Sequence, residues 1–183
     1  GRPDPMTRLV VRGARYPGDI AVEDGVITAI GTVEALPGDE VLAVDGDIAT
    51  AGLVNTHHHL YQWMTRGRAT GCNLFEWLVH LYPIWNRLSV EDVRAAALVG
   101  LGELAASGCT TASDHHYLVP GGDDSVFDAI ADAAGEVGIR LFLSRGSMDL
   151  GESRGGLPPD RVVEDRDAIL ASTEAVAARH HDG

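Results

Sequence analysis

Lysine is absent from this sequence of 183 residues: all 14 basic residues are arginine, against 27 acidic residues, and the formal net charge is −13. Chemistry that needs a lysine amine, such as a Schiff base, a phosphate-loop lysine or a carbamylated metal bridge, is therefore excluded from these residues. The shortage of positive charge also argues against nucleic acid and anionic membrane surfaces as partners, because both would be repelled.

Cysteine and long apolar runs are scarce as well. The two cysteines, Cys72 and Cys109, have neither the spacing of a CxxC motif nor that of a metal site, and small buried side chains are their simplest interpretation. Two thiols in a chain of this length indicate a reducing compartment, so we expect a cytoplasmic protein. No run approaches about 18 apolar residues, and the start, with Asp4, lacks an apolar signal segment, so we expect neither a membrane span nor a signal peptide.

The chain does contain enough apolar residues, 45%, for a folded core. Between residues 7 and 50, short β-like runs alternate with turn residues. Glu23-Asp24-Gly25 predicts a hairpin, because an Asp-Gly pair adopts the positive φ angles of a tight turn. We therefore expect residues 1–50 to form a small antiparallel β domain. A sheet of about 45 residues buries little surface alone, so it should pack on another element or gain strands from elsewhere in the chain.

The period of the hydrophobic pattern changes after Asp45. Ser89 with Asp92 is a capping box that opens a helix, and Pro83 is expected to kink or end the preceding one. The predicted elements are strands at 48–54, 110–113 and 140–144, and helices at 74–87, 89–108, 125–137 and 162–179. Their order predicts an α/β fold of parallel β/α units with right-handed crossovers. A closed (β/α)8 barrel needs about 250 residues, so residues 51–183 would form the first three units of an incomplete TIM-type barrel.

The strongest chemical signal is the run of three histidines that follows the first barrel-type strand. Alternate side chains of a strand share a face, so His57 and His59 should point the same way while His58 points away. Two imidazoles at the carboxyl end of a parallel strand can hold one divalent cation, and catalytic groups collect at that end of a barrel. We therefore predict that His57 and His59 ligate a divalent metal. The alternatives are a polar strand end or a tag-like run, but the internal position after an apolar strand argues against a tag.

A second polar group, Asp114-His115-His116-Tyr117, ends the next strand. Alternation places Asp114 with His116 and leaves His115 on the other face. These side chains either hydrogen-bond a polar ligand, support the metal histidines from outside, or are satisfied polar groups of the rim.

Two further candidates lie on the same rim. Arg145 follows the third strand, where a guanidinium suits an anionic or carbonyl-rich substrate or pairs with a nearby acid. Trp85 lies in the long insertion after the first strand, where its ring either stacks on a planar substrate or belongs to the core.

Several short motifs occur in a fixed order along the chain. They are Ala51-Gly52-Leu53-Val54-Asn55-Thr56, His57-His58-His59-Leu60-Tyr61-Gln62, Leu81-Tyr82-Pro83-Ile84-Trp85, Ser107-Gly108-Cys109-Thr110-Thr111, Asp114-His115-His116-Tyr117, Ser144-Arg145-Gly146-Ser147-Met148 and Gly155-Gly156-Leu157-Pro158-Pro159-Asp160. In this order they resemble the amidohydrolase superfamily, whose first barrel strand carries an HxH metal motif. Within that superfamily they resemble the 8-oxoguanine deaminase branch, which is related to the s-triazine hydrolases. The likeness covers nearly the whole chain.

The resemblance implies a composite β-sandwich, to which residues 1–50 contribute, and a (β/α)8 barrel with one metal ion, usually zinc. It implies hydrolytic deamination of a small aminated heterocycle, above all 8-oxoguanine to urate and ammonia, as in purine catabolism. His57 and His59 would be the first two metal ligands. The substrate contacts would come from rim side chains: Gln62, His116, Arg145 and Trp85. We expect the complete enzyme to be a homo-oligomer.

The chain departs from the family in one respect. Family members complete the metal site with histidines on later strands and an aspartate on the last, and they carry a catalytic glutamate after the fifth strand. All of these would lie beyond Gly183. We therefore expect no catalytic acid or base of this kind in the chain, which is either the N-terminal portion of a longer enzyme, inactive alone, or a truncated product.

Two other hypotheses remain open. In the first, the fold is the same and the substrate is an s-triazine, a pterin or another aminated heterocycle. Alternatively, the chain is a non-catalytic metal-binding or interaction module that pairs through an exposed sheet edge. A reading frame that continues past Gly183 into a further His-containing strand would favour the enzyme over the module.

Overall fold

A computed structural model describes residues 7–181. The described chain divides into two compact units, one ending at Ala51 and the other beginning at Gly52. Among the helices of residues 7–181, none has both the length and the apolar character needed to cross a bilayer.

The first unit is a four-stranded sheet in the order β3-β2-β1-β4. Its strands are β1 (Leu9–Arg12), β2 (Asp19–Glu23), β3 (Val26–Gly31) and β4 (Glu40–Ala43). The hairpin predicted at Glu23-Asp24-Gly25 joins β2 to β3, and both Asp24 (φ 50°) and Gly25 (φ 77°) have the positive φ of a tight turn. Val10, Ala21 and Val33 form the small buried core of this unit.

The sheet of the first unit is mixed, which corrects the expectation of a purely antiparallel one. β1 pairs antiparallel with β2 but parallel with β4, in the register Leu9 to Glu40. The segment after β3 carries the chain to the opposite edge of the sheet, where Arg8 forms an ion pair with Asp39 at 3.0 Å. The predicted strand 48–54 is also shorter than expected, because Ile48 forms an isolated parallel bridge with Tyr16 of the first unit.

The second unit is a parallel sheet in the order β5-β6-β7 with helices between its strands. Its strands are β5 (Leu53–Asn55), β6 (Cys109–His116) and β7 (Arg140–Arg145), and its helices are α1 (Leu74–Trp85), α2 (Val90–Ala106), α3 (Ser125–Val137) and α4 (Arg166–His180). Short 3-10 helices occupy Leu60–Thr65, Pro120–Gly122, Glu152–Arg154 and Asp160–Val162. The predicted alternation of parallel strands and helices is confirmed over these residues.

Local signals account for most helix ends. The capping box of Ser89 and Asp92 forms in full at the start of α2, as predicted. α4 begins four residues later than expected, because the Asp165 side chain accepts the backbone N–H groups of Asp167 and Ala168. Pro83 does not end α1: it lies in the last turn, where its missing N–H removes a single helical hydrogen bond, and the helix continues to Trp85.

The carboxyl ends of β5 and β6 lie side by side and position the candidate site. Beyond β5, the backbone N–H of His115 donates to the carbonyl of His58 at 3.0 Å, so the histidine run continues alongside the end of β6. Along β6 the side chains alternate: Asp114 and His116 are fully buried, whereas His115 is exposed on the opposite face.

Candidate metal site and substrate cleft

His57 and His59 lie close together just beyond β5, which ends at Asn55, as expected for a pair on the same side of the chain. Their ring centroids are 5.2 Å apart and their planes are nearly perpendicular, at 82°. His59 Nδ1–H donates to the backbone carbonyl of His115 at 2.7 Å. Because a neutral imidazole carries a proton on only one nitrogen, this bond leaves the lone pair on Nε2 free for a cation. A backbone acceptor behind the ring is also the usual way in which a metal-ligating histidine is oriented.

His58 makes different contacts from its two neighbours. Its ring stacks on Trp63, with 15° between the planes, and the Trp63 Nε1–H donates to His58 Nε2 at 3.3 Å. Burial, followed by the neighbouring His59, lowers the pKa of His58. His58 therefore packs beside the pair in a neutral form.

The candidate metal site comprises two histidines, His57 and His59. Within residues 7–181, no group of three or more His, Cys, Asp or Glu side chains is arranged to hold a metal. Two imidazoles fit zinc, which binds histidine nitrogen, but a catalytic zinc site commonly uses three protein ligands. The two histidines alone therefore do not make up a site of that kind.

A cleft of about 640 Å³ opens beside the histidines. It is bounded by residues 57–59 and 65–72 and by the side chains of Gln62, Trp63 and Trp77. Gln62 lies in the first turn after the metal pair and lines the cleft, which is where a substrate contact was expected. Trp63 and Trp77 add flat apolar surface beside the polar side chains of the wall.

The end of β6 contributes His115 and Tyr117 to the same side as the metal pair. The His59 ring centroid lies 5.6 Å from that of His115 and 5.3 Å from that of Tyr117. Burial, with the nearby His59 and His57, lowers the pKa of His115, so its ring is neutral there as well.

His116, in contrast, is directed away from the cleft. Its ring is fully buried, packs edge-on against Phe127 of α3, and donates from Nε2 to the carbonyl of Leu118 at 2.8 Å. Burial lowers the pKa of His116 to about 4. The predicted alternation along β6 is present. However, His116, which we predicted to contact the substrate, lies on the face that packs against the helices. The alternate polar residues Thr111, Ser113 and His115 could have indicated from the sequence that the other face of β6 is the open one.

Asp114 lies on the same buried face as His116 and hydrogen-bonds the backbone just after the histidine run. Its Oδ1 accepts the backbone N–H of Leu60 at 2.8 Å, which anchors the first residue after His59. Burial raises the pKa of the Asp114 carboxyl to about 7, although the Leu60 hydrogen bond acts in the opposite direction.

Arg145 does not reach the cleft, because its guanidinium is held by an acid. Its side chain is only 4% exposed and lies 2.5 Å from Glu164, which is 5% exposed. Arg145 also donates to Ser172 of α4 and to the carbonyl of Gly146. Of the two roles considered for this residue, the structure provides the ion pair, which ties the segment after β7 to α4.

Trp85 belongs to the core. The ring is fully buried, and its Nε1–H donates to the Thr65 hydroxyl at 2.9 Å. It packs edge-on against Tyr61, at 88° between the ring planes, and against Trp77, at 70°, with 5.1 Å between the ring centroids in both pairs. The expected substrate contact of Trp85 is not supported by this position, and the tryptophans that line the cleft are Trp63 and Trp77.

Comparison with known proteins places these features in a family. Residues 48–182 match the amidohydrolase family. The chain is 44% identical to the 8-oxoguanine deaminase of Pseudomonas aeruginosa, over 97% of this chain and 41% of that protein. It is 34% identical to the hydroxydechloroatrazine ethylaminohydrolase of Pseudomonas sp. (strain ADP), over 90% of this chain and 37% of that protein.

A solved structure has the same fold. The atrazine chlorohydrolase of Arthrobacter aurescens TC1, in complex with zinc, superposes with a TM-score of 0.83 at 27% identity, over 95% of this chain and 43% of that one. The chain thus spans about two fifths of the length of these relatives. The resemblance drawn from the motifs is confirmed, and the chain belongs to the amidohydrolase family.

Proposed function

We propose that this chain is the N-terminal part of a metal-dependent hydrolytic deaminase, with a small aminated heterocycle as substrate. The observation that carries the proposal is the pair His57 and His59, with His59 Nδ1–H donated to the His115 carbonyl so that Nε2 is free for a metal. The pair opens onto a cleft with two tryptophans and the Gln62 amide. The full protein would complete a (β/α)8 barrel and the remaining metal ligands, together with the catalytic acid and base.

The proposed division of labour follows from the residues of this chain. When a divalent ion such as zinc is bound, it supplies a nucleophile at neutral pH by lowering the pKa of water. His57 and His59 would hold that ion, and the His115 carbonyl keeps the His59 ring in the tautomer that leaves Nε2 free. Trp63 and Trp77 provide flat surface for a planar ring, and the Gln62 amide can donate to or accept from its edge.

Among aminated heterocycles, 8-oxoguanine is the substrate we propose, with urate and ammonia as products. It is supported by 44% identity to an 8-oxoguanine deaminase, compared with 34% to an enzyme whose name specifies a triazine. An s-triazine is the second candidate, because the atrazine chlorohydrolase has the same fold. A polar, carbonyl-rich purine fits a wall with an amide and histidines better than an aliphatic amide does.

The test is ammonia release by the full-length, zinc-loaded protein from 8-oxoguanine, guanine and a hydroxylated aminotriazine. We expect 8-oxoguanine to exceed guanine by roughly 5- to 150-fold in kcat/KM, because a buried polar group without a partner costs about 1–3 kcal/mol. Equal rates on the two purines would reject 8-oxoguanine as the preferred substrate.

Metal content separates the ligands from their neighbour. His57→Ala and His59→Ala should each lose zinc, as measured by elemental analysis. His58→Ala is the matched control and should keep zinc, because His58 stacks on Trp63. Full zinc retention in both ligand variants would overturn the assignment of the pair.

A further inference from the structure

The cleft beside the metal pair has an unusual charge. Arg66 and Arg68 line it, and among its described lining residues there is no aspartate or glutamate. The whole chain has 27 acidic residues against 14 arginines. A cleft wall whose charged residues are all arginine is therefore not what the composition predicts.

Arg66 is held in place by the aromatic wall. Its guanidinium carbon lies 4.5 Å from the centroid of the Trp63 ring, a cation–π contact. Trp63 in turn donates to His58 and fits against the bare Cα of Gly100 in α2, where an added Cβ would lie 2.6 Å from its Nε1. A guanidinium that is already stacked loses less side-chain entropy on binding a ligand.

The backbone on both sides of Arg68 fixes its position. Its N–H donates to the carbonyl of Thr65 at 3.0 Å, and the Thr65 hydroxyl is fixed by the buried Trp85. The next residue, Ala69, has a φ of 54°, a conformation that non-glycine residues seldom adopt. Strained backbone of this kind persists where the surroundings determine it, and it is common at ligand sites.

We propose that Arg66 and Arg68 form an anion-binding wall, so that the cleft prefers a planar heterocycle with a delocalised negative charge over its neutral counterpart. A guanidinium is planar and permanently charged, and it can donate two parallel hydrogen bonds to adjacent oxygen and nitrogen acceptors of a deprotonated lactam. This inference rests on the proposed function, since it specifies the charge of the product ring, urate, that the deaminase would release.

The test uses two purines of similar shape and different charge. Urate is an anion at neutral pH and hypoxanthine is neutral, and neither carries an exocyclic amine, so binding is measured without turnover. Calorimetric titration of the full-length, zinc-loaded protein should give tighter binding of urate. Arg66→Gln and Arg68→Gln should each weaken urate binding by roughly 5- to 50-fold, the range for loss of a charge-assisted hydrogen bond at a partly open site. Hypoxanthine binding should not change.

Arg140→Gln is the matched control. Arg140 is exposed at the amino end of β7, the opposite end of the parallel strands from the cleft, and its replacement should alter neither affinity. Arg66→Lys keeps the charge but removes the planar fork, so it should fall between the wild type and Arg66→Gln. Zinc content, measured in each variant, should match the wild type.

The outcomes separate this inference from the proposed function. The anion-binding wall is wrong if the Arg66 and Arg68 variants bind urate and hypoxanthine equally more weakly, or if their urate affinity is unchanged. This holds even where 8-oxoguanine is deaminated. If no purine is deaminated but the variants lose affinity for urate and not for hypoxanthine, the anion-binding wall is supported and the proposed reaction is wrong.

Discussion

Replacement of Gly100 by alanine should destabilise the wall that carries Trp63, although alanine is the better helix former. Gly100 is buried in α2, and an added Cβ would lie 2.6 Å from Trp63 Nε1 and 2.8 Å from Leu60 Cδ2. Contacts this short require one of the side chains to move. Both belong to the 3-10 helix that directly follows His59, so the displacement would reach the metal pair and the Arg66 stack.

Gly102 provides a matched control in the same helix. A Cβ added there meets nothing within 4 Å, so Gly102→Ala should only gain helix propensity and stabilise the protein by about 0.5–1 kcal/mol. Overpacking of a core costs about 1–3 kcal/mol, and Gly100→Ala gains the same propensity while incurring that cost. Because propensity cancels between the two variants, their difference in free energy of unfolding should be about 1–3 kcal/mol.

Urea denaturation of the full-length protein measures this difference, and zinc content reports whether the displacement reaches His59. We expect Gly100→Ala to unfold at lower urea than Gly102→Ala with an unchanged m-value. Equal midpoints for the two variants would refute the steric argument and, with it, the role assigned to Gly100 in seating Trp63.

Two further predictions concern buried ionisable groups. Burial raises the Asp114 pKa from near 4 to about 7, so the folded state holds a proton that the unfolded state releases, and stability should fall as pH rises through that interval. Asp114→Asn should flatten this dependence in urea titrations at pH 5 and pH 8, and an unchanged slope would contradict the assignment. Arg145→Met should cost about 3–5 kcal/mol because it leaves Glu164 buried and unpaired, and Glu164→Leu added to it should restore most of that stability. A double variant no more stable than Arg145→Met would show that the ion pair is not the source of the loss.

The elements of the fold that were predictable from the sequence depend on neighbours along the chain. The capping box of Ser89 and Asp92, the bounds of α3 and the hairpin at Asp24-Gly25 follow from local hydrogen bonding and φ preferences. The proximity of the His57 and His59 rings was predictable from their spacing of two residues after an apolar strand. None of these requires knowledge of distant residues.

The strand order of the first unit and the identity of the side chains at the cleft were decided by tertiary structure. The parallel pairing of β1 with β4 depends on the path of the segment after β3, which brings β4 to the opposite edge of the sheet. For β6, the period of a strand alone does not determine which face packs against the helices. His116, Arg145 and Trp85 carry chemistry suited to a ligand, but Phe127, Glu164 and Tyr61 cover them, and these partners are distant along the chain. The sequence by itself determined the family and was sufficient to predict His57 and His59 as a metal pair, because both inferences depend on short contiguous motifs. Only the packing of helices on the sheet decided which other polar and aromatic groups face the cleft, because burial is a property of contacts between distant segments.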